Sequence, residues 1–221
     1  ALIAMLVCAA FGTVTGFFIA YLNVPPFIAT LAMMEIVYGI GLIVTNATPL
    51  GGYVEQYTNV SNGKFLGINY LIWIAIIVAA ITWFIFNMTR HGKYMYAIGG
   101  NPQAAEVAGV PVKATLILIY MKAAAMYGLA GFMLGAKAGG ASVNLGYGYE
   151  MEAIAACTIG GVSVTGGRGK VSSAIIGVAV FELLKVALQY LGMNANAQYI
   201  AIGVVIFIAI SLDIRKYIAR K

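Results

Sequence analysis

The sequence predicts an all-α fold, a polytopic transmembrane helical bundle with seven membrane segments. Of the 221 residues, 62% are hydrophobic and only 9% are charged, whereas soluble domains carry about 25% charged residues. The apolar residues form long runs, and a helix needs about 20 of them to cross the hydrocarbon core of a bilayer. The 27 glycines suit helices that pack closely in lipid. A chain of this length cannot hide so much apolar surface from water, so its solvent must be the membrane.

Polar or glycine-rich connections separate the predicted segments. Gly12 and Gly16 in the first segment form a small-residue packing face, and Gly160-Gly161 interrupts the short fifth one. Ala1 lies inside an apolar run with no signal peptide before it, so we expect the chain to be N-terminally incomplete. The segments are predicted at residues 1–21, 27–46, 70–88, 115–138, 151–165, 171–191 and 198–214, and residues 47–69 are predicted to be an external loop.

The distribution of Lys and Arg predicts the orientation of the chain. The connections on one side of the membrane carry most of these residues, whereas the loops on the other side carry only Lys64. Because cytoplasmic loops hold the excess of basic residues, the first side, with the C-terminus, is predicted to be cytoplasmic. The net charge of +6 is therefore a topology signal and does not indicate nucleic-acid binding. The basic residues of that side are Arg90, Lys93, Lys113, Arg168, Lys170, Arg215, Lys216, Arg220 and Lys221.

A polar, basic connection at residues 89–113 contains the signals of a short helix, predicted at residues 102–108. Asn101 suits the N-cap and Pro102 the first helical position, and Gly109 suits a left-handed C-cap. We interpret this connection as a cytoplasmic coupling loop through which a motor subunit moves the membrane subunit; a merely solvated loop is the alternative. The residues assigned to this contact are Asn101, Pro102, Gln103, Ala104, Ala105, Glu106 and Gly109, with Arg168 and Lys170.

A glycine-rich run that ends at Gly169-Lys170 invites comparison with a phosphate-binding loop. Such a loop needs Gly five residues before its last Gly and Ser or Thr after its Lys, but Val164 and Val171 occupy these positions. The chain is therefore predicted to bind no ATP by this device, and the sequence contains no catalytic or metal-binding constellation. The glycines are better explained by close packing, and the two cations by a cytoplasmic surface that meets a partner or anchors the chain.

Several charged residues lie inside the predicted spans, where each of them needs a partner or a wet cavity. Glu35 and Lys122 lie at comparable depths in different segments, so a pair between them is open. Glu182 and Lys185 are three residues apart on one helix and can pair locally. We favour structural pairs for both couples; lining of a solute path is the alternative.

Three stretches of the sequence carry a recognisable pattern. They are Phe27–Met34 with Val44-Thr45-Asn46, Gly92-Lys93 continuing to Gly99-Gly100-Asn101, and Tyr149–Ala156 continuing to Gly169. Together they resemble the membrane permease subunits of bacterial ATP-binding-cassette importers for monosaccharides, of the ribose, xylose and galactoside type. Details around Asn144-Leu145-Gly146 and in the tail, residues 213–221, are most similar to the galactose/methyl-galactoside branch.

The resemblance implies a single permease domain over residues 1–221, whose seven segments correspond to the last seven of an expected ten. It implies a multi-pass subunit of the inner membrane that works as a homodimer, with the sugar path at the dimer interface. An ATP-binding-cassette ATPase subunit would hold ATP and Mg on the cytoplasmic side, and a periplasmic sugar-binding protein would deliver the sugar from the other side. This chain would bind no cofactor and would have no enzymatic site.

Uncharged sugars need hydrogen-bond partners but no fixed counter-charge, so polar residues within or beside the spans are the candidates for the path. Glu35 departs from ribose-type relatives, in which this position is often apolar. An ion-coupled secondary transporter with Glu35 as its protonatable residue is therefore the alternative; a structural membrane subunit is a third reading, which leaves the capped helix unexplained. The candidate path residues are Thr30, Glu35, Thr45, Asn46, Thr158 and Ser163.

Overall fold

The computed structural model describes residues 1–218, most of which lie in helices. Arg220 and Lys221, which belong to the tail predicted to be cytoplasmic, lie outside the described residues. The elements are α1 (Leu2–Leu22), α2 (Pro26–Thr45), α3 (Glu55–Asn62), β1 (Lys64–Phe65), β2 (Ile68–Asn69), α4 (Tyr70–Met88), α5 (Arg90–Gly100), α6 (Pro102–Val107), α7 (Val112–Ala138), α8 (Tyr149–Ile159), α9 (Val171–Tyr190) and α10 (Ala195–Ile218).

Five helices within residues 1–218 are long and apolar enough to cross a membrane, namely α1, α2, α4, α7 and α9. All five were predicted as spans from the sequence. The other two predicted segments differ, because α8 contains only 11 residues and the apolar part of α10, Asn196–Ser211, is shorter than the five spans. The structure therefore supports an all-helical polytopic fold and leaves the count of seven spans unconfirmed.

The chain divides into two compact units, of which the first comprises residues 1–80 and 108–146. Its main contact joins α1 to α7 through glycines. A side chain at Gly12 would overlap Ala124 and the carbonyl oxygen of Tyr120, and one at Gly16 would meet the backbone of Ile117. The predicted packing face of α1 is thus confirmed, and its partner is α7.

The connection predicted as an external loop, residues 47–69, contains α3 and a two-stranded hairpin. The Tyr57 hydroxyl donates to the carbonyl oxygen of Phe132 at 2.7 Å, and the Ser61 hydroxyl donates to that of Ala136 at 3.1 Å. Burial is the main cause that raises the pKa of Tyr57, and the neighbouring phenol of Tyr53 adds to it. These bonds hold α3 against the end of α7, although the segment is too polar to be recognised from hydropathy.

The second unit comprises residues 81–107 and the chain from residue 147 onward. Its core forms where α8, α9 and α10 meet, around Ala155, Ala156, Phe181 and Ile202. The backbones of α8 and α9 come close together beside this core, since a side chain at Gly177 would overlap the carbonyl oxygen of Ala156. The short helix α8 is therefore packed firmly against its neighbours.

The two predicted charge pairs have different outcomes. Lys185 pairs with Glu182 at 3.5 Å as predicted, and it also pairs with Glu152 of α8 at 2.9 Å. The predicted pair of Glu35 and Lys122 is wrong, because neither residue takes part in an ion pair within the described part of the chain. Glu35 is exposed on α2, a helix without any buried residue.

Candidate functional site

The candidate site begins where α4 ends and α5 begins, both in the second unit. The Thr89 hydroxyl donates to the carbonyl oxygen of Ile85 at 2.6 Å and accepts from the Gly92 amide at 3.2 Å. Gly92 is buried, and a side chain there would overlap the carbonyl oxygens of Ile85 and Phe86. The cap and the close approach fix the start of α5 on the end of α4.

Helix α6 confirms the short helix predicted from the capping residues, and it ends one residue earlier than predicted. The Asn101 side chain accepts a hydrogen bond from the Ala104 amide at 3.0 Å, and Gly109 has a left-handed φ of 81°. Ala105 is buried with 4% exposure. The remaining members of the predicted contact set on this segment are exposed, namely Asn101, Pro102, Gln103, Ala104, Glu106 and Gly109.

The backbone of α5 touches the loop after α8. A side chain at Gly99 would lie 2.8 Å from the Cα atom of Gly167, and one at Gly167 would meet the backbone of Gly100. Gly166 and Gly167 also have left-handed φ values of 92° and 71°, which residues other than glycine rarely adopt. Only glycines allow the two segments to approach this closely.

A hydrogen bond from Tyr96 reinforces this contact. The Tyr96 hydroxyl donates to the carbonyl oxygen of Gly169 at 2.8 Å, and its ring packs edge-on against Phe86 with centroids 5.8 Å apart. The Ser163 amide donates to the carbonyl oxygen of Arg168 at 3.1 Å, which closes the loop on itself. We call α5, α6 and residues 160–170 together the composite surface.

The composite surface is mainly basic. Arg90 and Lys93 of α5 are exposed, as are Arg168 and Lys170 on either side of Gly169. Glu106 of α6 is the acidic residue of these segments, and it is also exposed. The structure therefore packs both segments against α5, and their mainly basic charge suits an acidic protein face.

The candidate path residues are not gathered in one unit. Thr30, Glu35, Thr45 and Asn46 lie along α2 or at its end in the first unit, whereas Thr158 and Ser163 belong to the second. The hydroxyls of Thr30, Thr45 and Thr158 donate to carbonyl oxygens of their own helices at 3.0, 2.8 and 2.7 Å. Asn46 ends α2 with a φ of 51°. Their role in a path stays a prediction.

Sequence reasoning missed Tyr96, Gly99 and the pair of Glu152 with Lys185. Helix α5 was missed, although Thr89 gave a signal for its start, because threonine is a favoured N-cap residue. The pairs Gly99-Gly100 and Gly166-Gly167 were visible as motifs. That they touch each other depends on the fold and leaves no trace in local sequence.

Five helices of the described chain are long and apolar enough to cross a membrane, as in a membrane-embedded protein, and its polar connections form a mainly basic surface. Residues 1–210 match the family described as branched-chain amino acid transport system / permease component. The chain therefore belongs to this permease family, as the three recognisable stretches predicted.

Several relatives in this family are import permeases for sugars. The galactose/methyl galactoside import permease protein MglC of Haemophilus influenzae is 42% identical over 220 residues, which are 96% of this chain and 66% of that protein. MglC of Escherichia coli K12 is 41% identical over 231 residues, covering 100% of this chain and 69% of the relative. The ribose import permease protein RbsC of Escherichia coli K12 is 36% identical over 212 residues, covering 94% and 66%. This chain thus spans 66–69% of the length of these relatives, and no solved structure is significantly similar to it.

Proposed function

We propose that the chain is the transmembrane subunit of an ATP-driven importer that moves a monosaccharide across the bacterial inner membrane by alternating access. The observation that carries the proposal is the composite surface, in which the capped helix α6 and the loop with Arg168 and Lys170 are joined through α5. The similarity to galactoside and ribose permeases supports a galactose-like hexose or a pentose as the cargo.

The composite surface receives the ATPase subunit, which holds ATP and Mg itself. The exposed residues of α6 enter a groove of this partner, and Arg168 and Lys170 meet acidic side chains beside the groove. Because Gly99 and Tyr96 attach the loop directly to α5, a push on α6 also moves residues 160–170. These residues continue from α8, so the displacement reaches the membrane-embedded part of the second unit.

The cargo path and the remaining partners follow from the same proposal. A second copy of the permease completes the path, and a periplasmic sugar-binding protein delivers the sugar on the side of Lys64. The composite surface and the C-terminus face the cytoplasm. The Lys and Arg side chains in segments 89–113 and 160–170 support this orientation, because cytoplasmic loops hold the excess of basic residues. An uncharged sugar needs no counter-charge along its path. The candidate polar residues on α2 and in or after α8 supply the hydrogen-bond partners that the sugar needs.

Reconstitution of the full-length permease with its ATPase and sugar-binding subunits tests the proposal. We expect ATP-dependent uptake of labelled galactose or ribose into proteoliposomes, and loss of this uptake when residues 102–107 are deleted. The double variant Arg168→Glu/Lys170→Glu should reduce co-purification of the ATPase, because it reverses the charge of the surface. Lys64→Glu is the matched control, since it changes an exposed cation on the opposite side. Unchanged uptake after the deletion would contradict the proposal.

A further inference from the structure

The hairpin before α4 has an unusual tip. Lys64 pairs with Asn69 and Phe65 with Ile68, so that Leu66 and Gly67 form a two-residue turn. Both turn residues have left-handed φ values, 53° and 79°. Turns of this kind prefer Asn-Gly, because asparagine tolerates the left-handed region much better than leucine does.

The leucine in this strained position contributes little to packing within the protein. Leu66 is 78% exposed and Phe65 beside it is 56% exposed. A leucine in this position strains the backbone and gains nothing from burial within the described chain. Its presence is explained if the tip meets an apolar environment outside the described chain.

Contacts with α4 fix the position of the hairpin tip relative to the start of this helix. The Trp73 indole donates from Nε1 to the carbonyl oxygen of Phe65 at 3.2 Å, and the two rings meet edge-on with centroids 6.1 Å apart. The Asn69 side chain accepts from the Leu71 amide at 2.8 Å. The hairpin is therefore attached to the first turn of a membrane span and lies level with its start.

The start of that helix carries residues that are typical of the membrane–water interface. Tyr70 and Trp73 stand in the first turn of α4, and aromatic residues of this kind concentrate where headgroups meet acyl chains. α4 has no buried residue, so the described chain leaves its apolar side chains at least partly uncovered along its length. Lys64 stands next to the tip and can extend its ammonium group to lipid phosphates.

We propose that the hairpin tip, Phe65 and Leu66, inserts into the boundary between headgroups and acyl chains and anchors the external side of the first unit to lipid. Lipid is the occupant because the tip is continuous with the exposed start of α4 and carries a cation beside two apolar side chains. A second copy of the chain or an external protein at the tip is the contrary outcome. This inference does not depend on what the permease transports.

Spin labels measure the depth of the tip. Cys8 and Cys157 are free thiols, so the full-length protein is first made as Cys8→Ser/Cys157→Ser. Leu66→Cys is then labelled with a nitroxide in vesicles of phosphatidylcholine and phosphatidylglycerol. We expect collisions with oxygen to exceed those with a water-soluble nickel chelate by several fold. Asn59→Cys, at an exposed site of α3, is the control and should favour the nickel chelate.

The same accessibility measurement can also contradict the proposal. A label at position 66 that favours the nickel chelate as the control does lies in water, and one that is shielded from both reagents lies against protein; either result overturns the proposal. A second variant checks the role of the leucine. Leu66→Asn suits the turn better and keeps the fold, so a label on Phe65→Cys should move toward water when Leu66→Asn is added. A label that keeps its depth would show that the leucine is not the anchor.

Discussion

The Tyr96 hydroxyl donates a 2.8 Å hydrogen bond to the carbonyl oxygen of Gly169, across 73 positions of the chain. This bond lies beside the contact of Gly99 with Gly167, where two backbones meet without side chains between them. The two contacts make one surface of a capped helix and a glycine loop that are far apart in sequence.

Gly99→Ala should separate the loop from α5. The new methyl group would overlap the backbone of Gly167, and forcing extra volume into a packed contact costs about 1–3 kcal/mol. We expect reduced sugar uptake at a normal amount of protein in the membrane. Gly100→Ala is the matched control, because a methyl group there meets nothing within 4 Å. Equal uptake by the two variants would contradict the role given to Gly99.

Tyr96→Phe should weaken the same attachment without a change of volume. It removes one hydrogen bond, worth about 1 kcal/mol, and keeps the ring packed against Phe86. If the loop transmits movement, the number of sugar molecules transported per ATP should fall while ATP hydrolysis by the assembled complex continues. Tyr94→Phe in the same helix serves as the control. A proportional fall of both activities would indicate a structural role only.

Lys185→Met should destabilise the contact of α8 with α9. The Lys185 ammonium lies 2.9 Å from a Glu152 carboxylate oxygen, and both side chains are 23% exposed. Removing Lys185 leaves the carboxylates of Glu152 and Glu182 without their cation, with a loss of about 1–3 kcal/mol after allowance for this partial exposure. Thermal unfolding in detergent measures the effect.

The neighbouring carboxylate provides the control for this variant. Glu182→Gln should change the unfolding temperature less, because Glu182 lies 3.5 Å from the ammonium and is 57% exposed. The double variant Lys185→Met/Glu152→Met should recover part of the loss, since only the more exposed carboxylate of Glu182 then lacks its partner. A larger effect for Glu182→Gln than for Lys185→Met would refute this ranking.

Glu35→Gln should leave ATP-dependent uptake within about twofold of the unmodified protein. Glu35 is exposed on α2 and takes part in no ion pair within the described chain, so its charge supports no described contact. An importer driven by ATP does not need a protonatable residue in this position, whereas an ion-coupled transporter does. Uptake that vanishes in Glu35→Gln, yet persists without the ATPase subunit, would favour ion coupling.

Hydropathy and helix-capping residues account for the elements that were correctly predicted from the sequence. The five long spans follow from uninterrupted apolar runs, because the bilayer requires this length whatever the neighbours of a helix are. Helix α6 follows from Asn101 and Pro102, whose effects are local. Helix α3 and the hairpin escaped prediction, because contacts such as that of Tyr57 with Phe132 stabilise a polar segment without any hydropathy signal.

The sequence by itself determined the membrane class, the long spans, the short capped helix and membership of the permease family. The tertiary structure alone decided which polar and glycine residues meet: Tyr96 with Gly169, Gly99 with Gly167, and Lys185 with Glu152 rather than Glu182 alone. It also showed that Glu35 and Lys122 form no ion pair within the described residues. The physical reason is that span length and capping depend on residues close together in the chain, whereas close backbone approach and ion pairing depend on how distant helices pack.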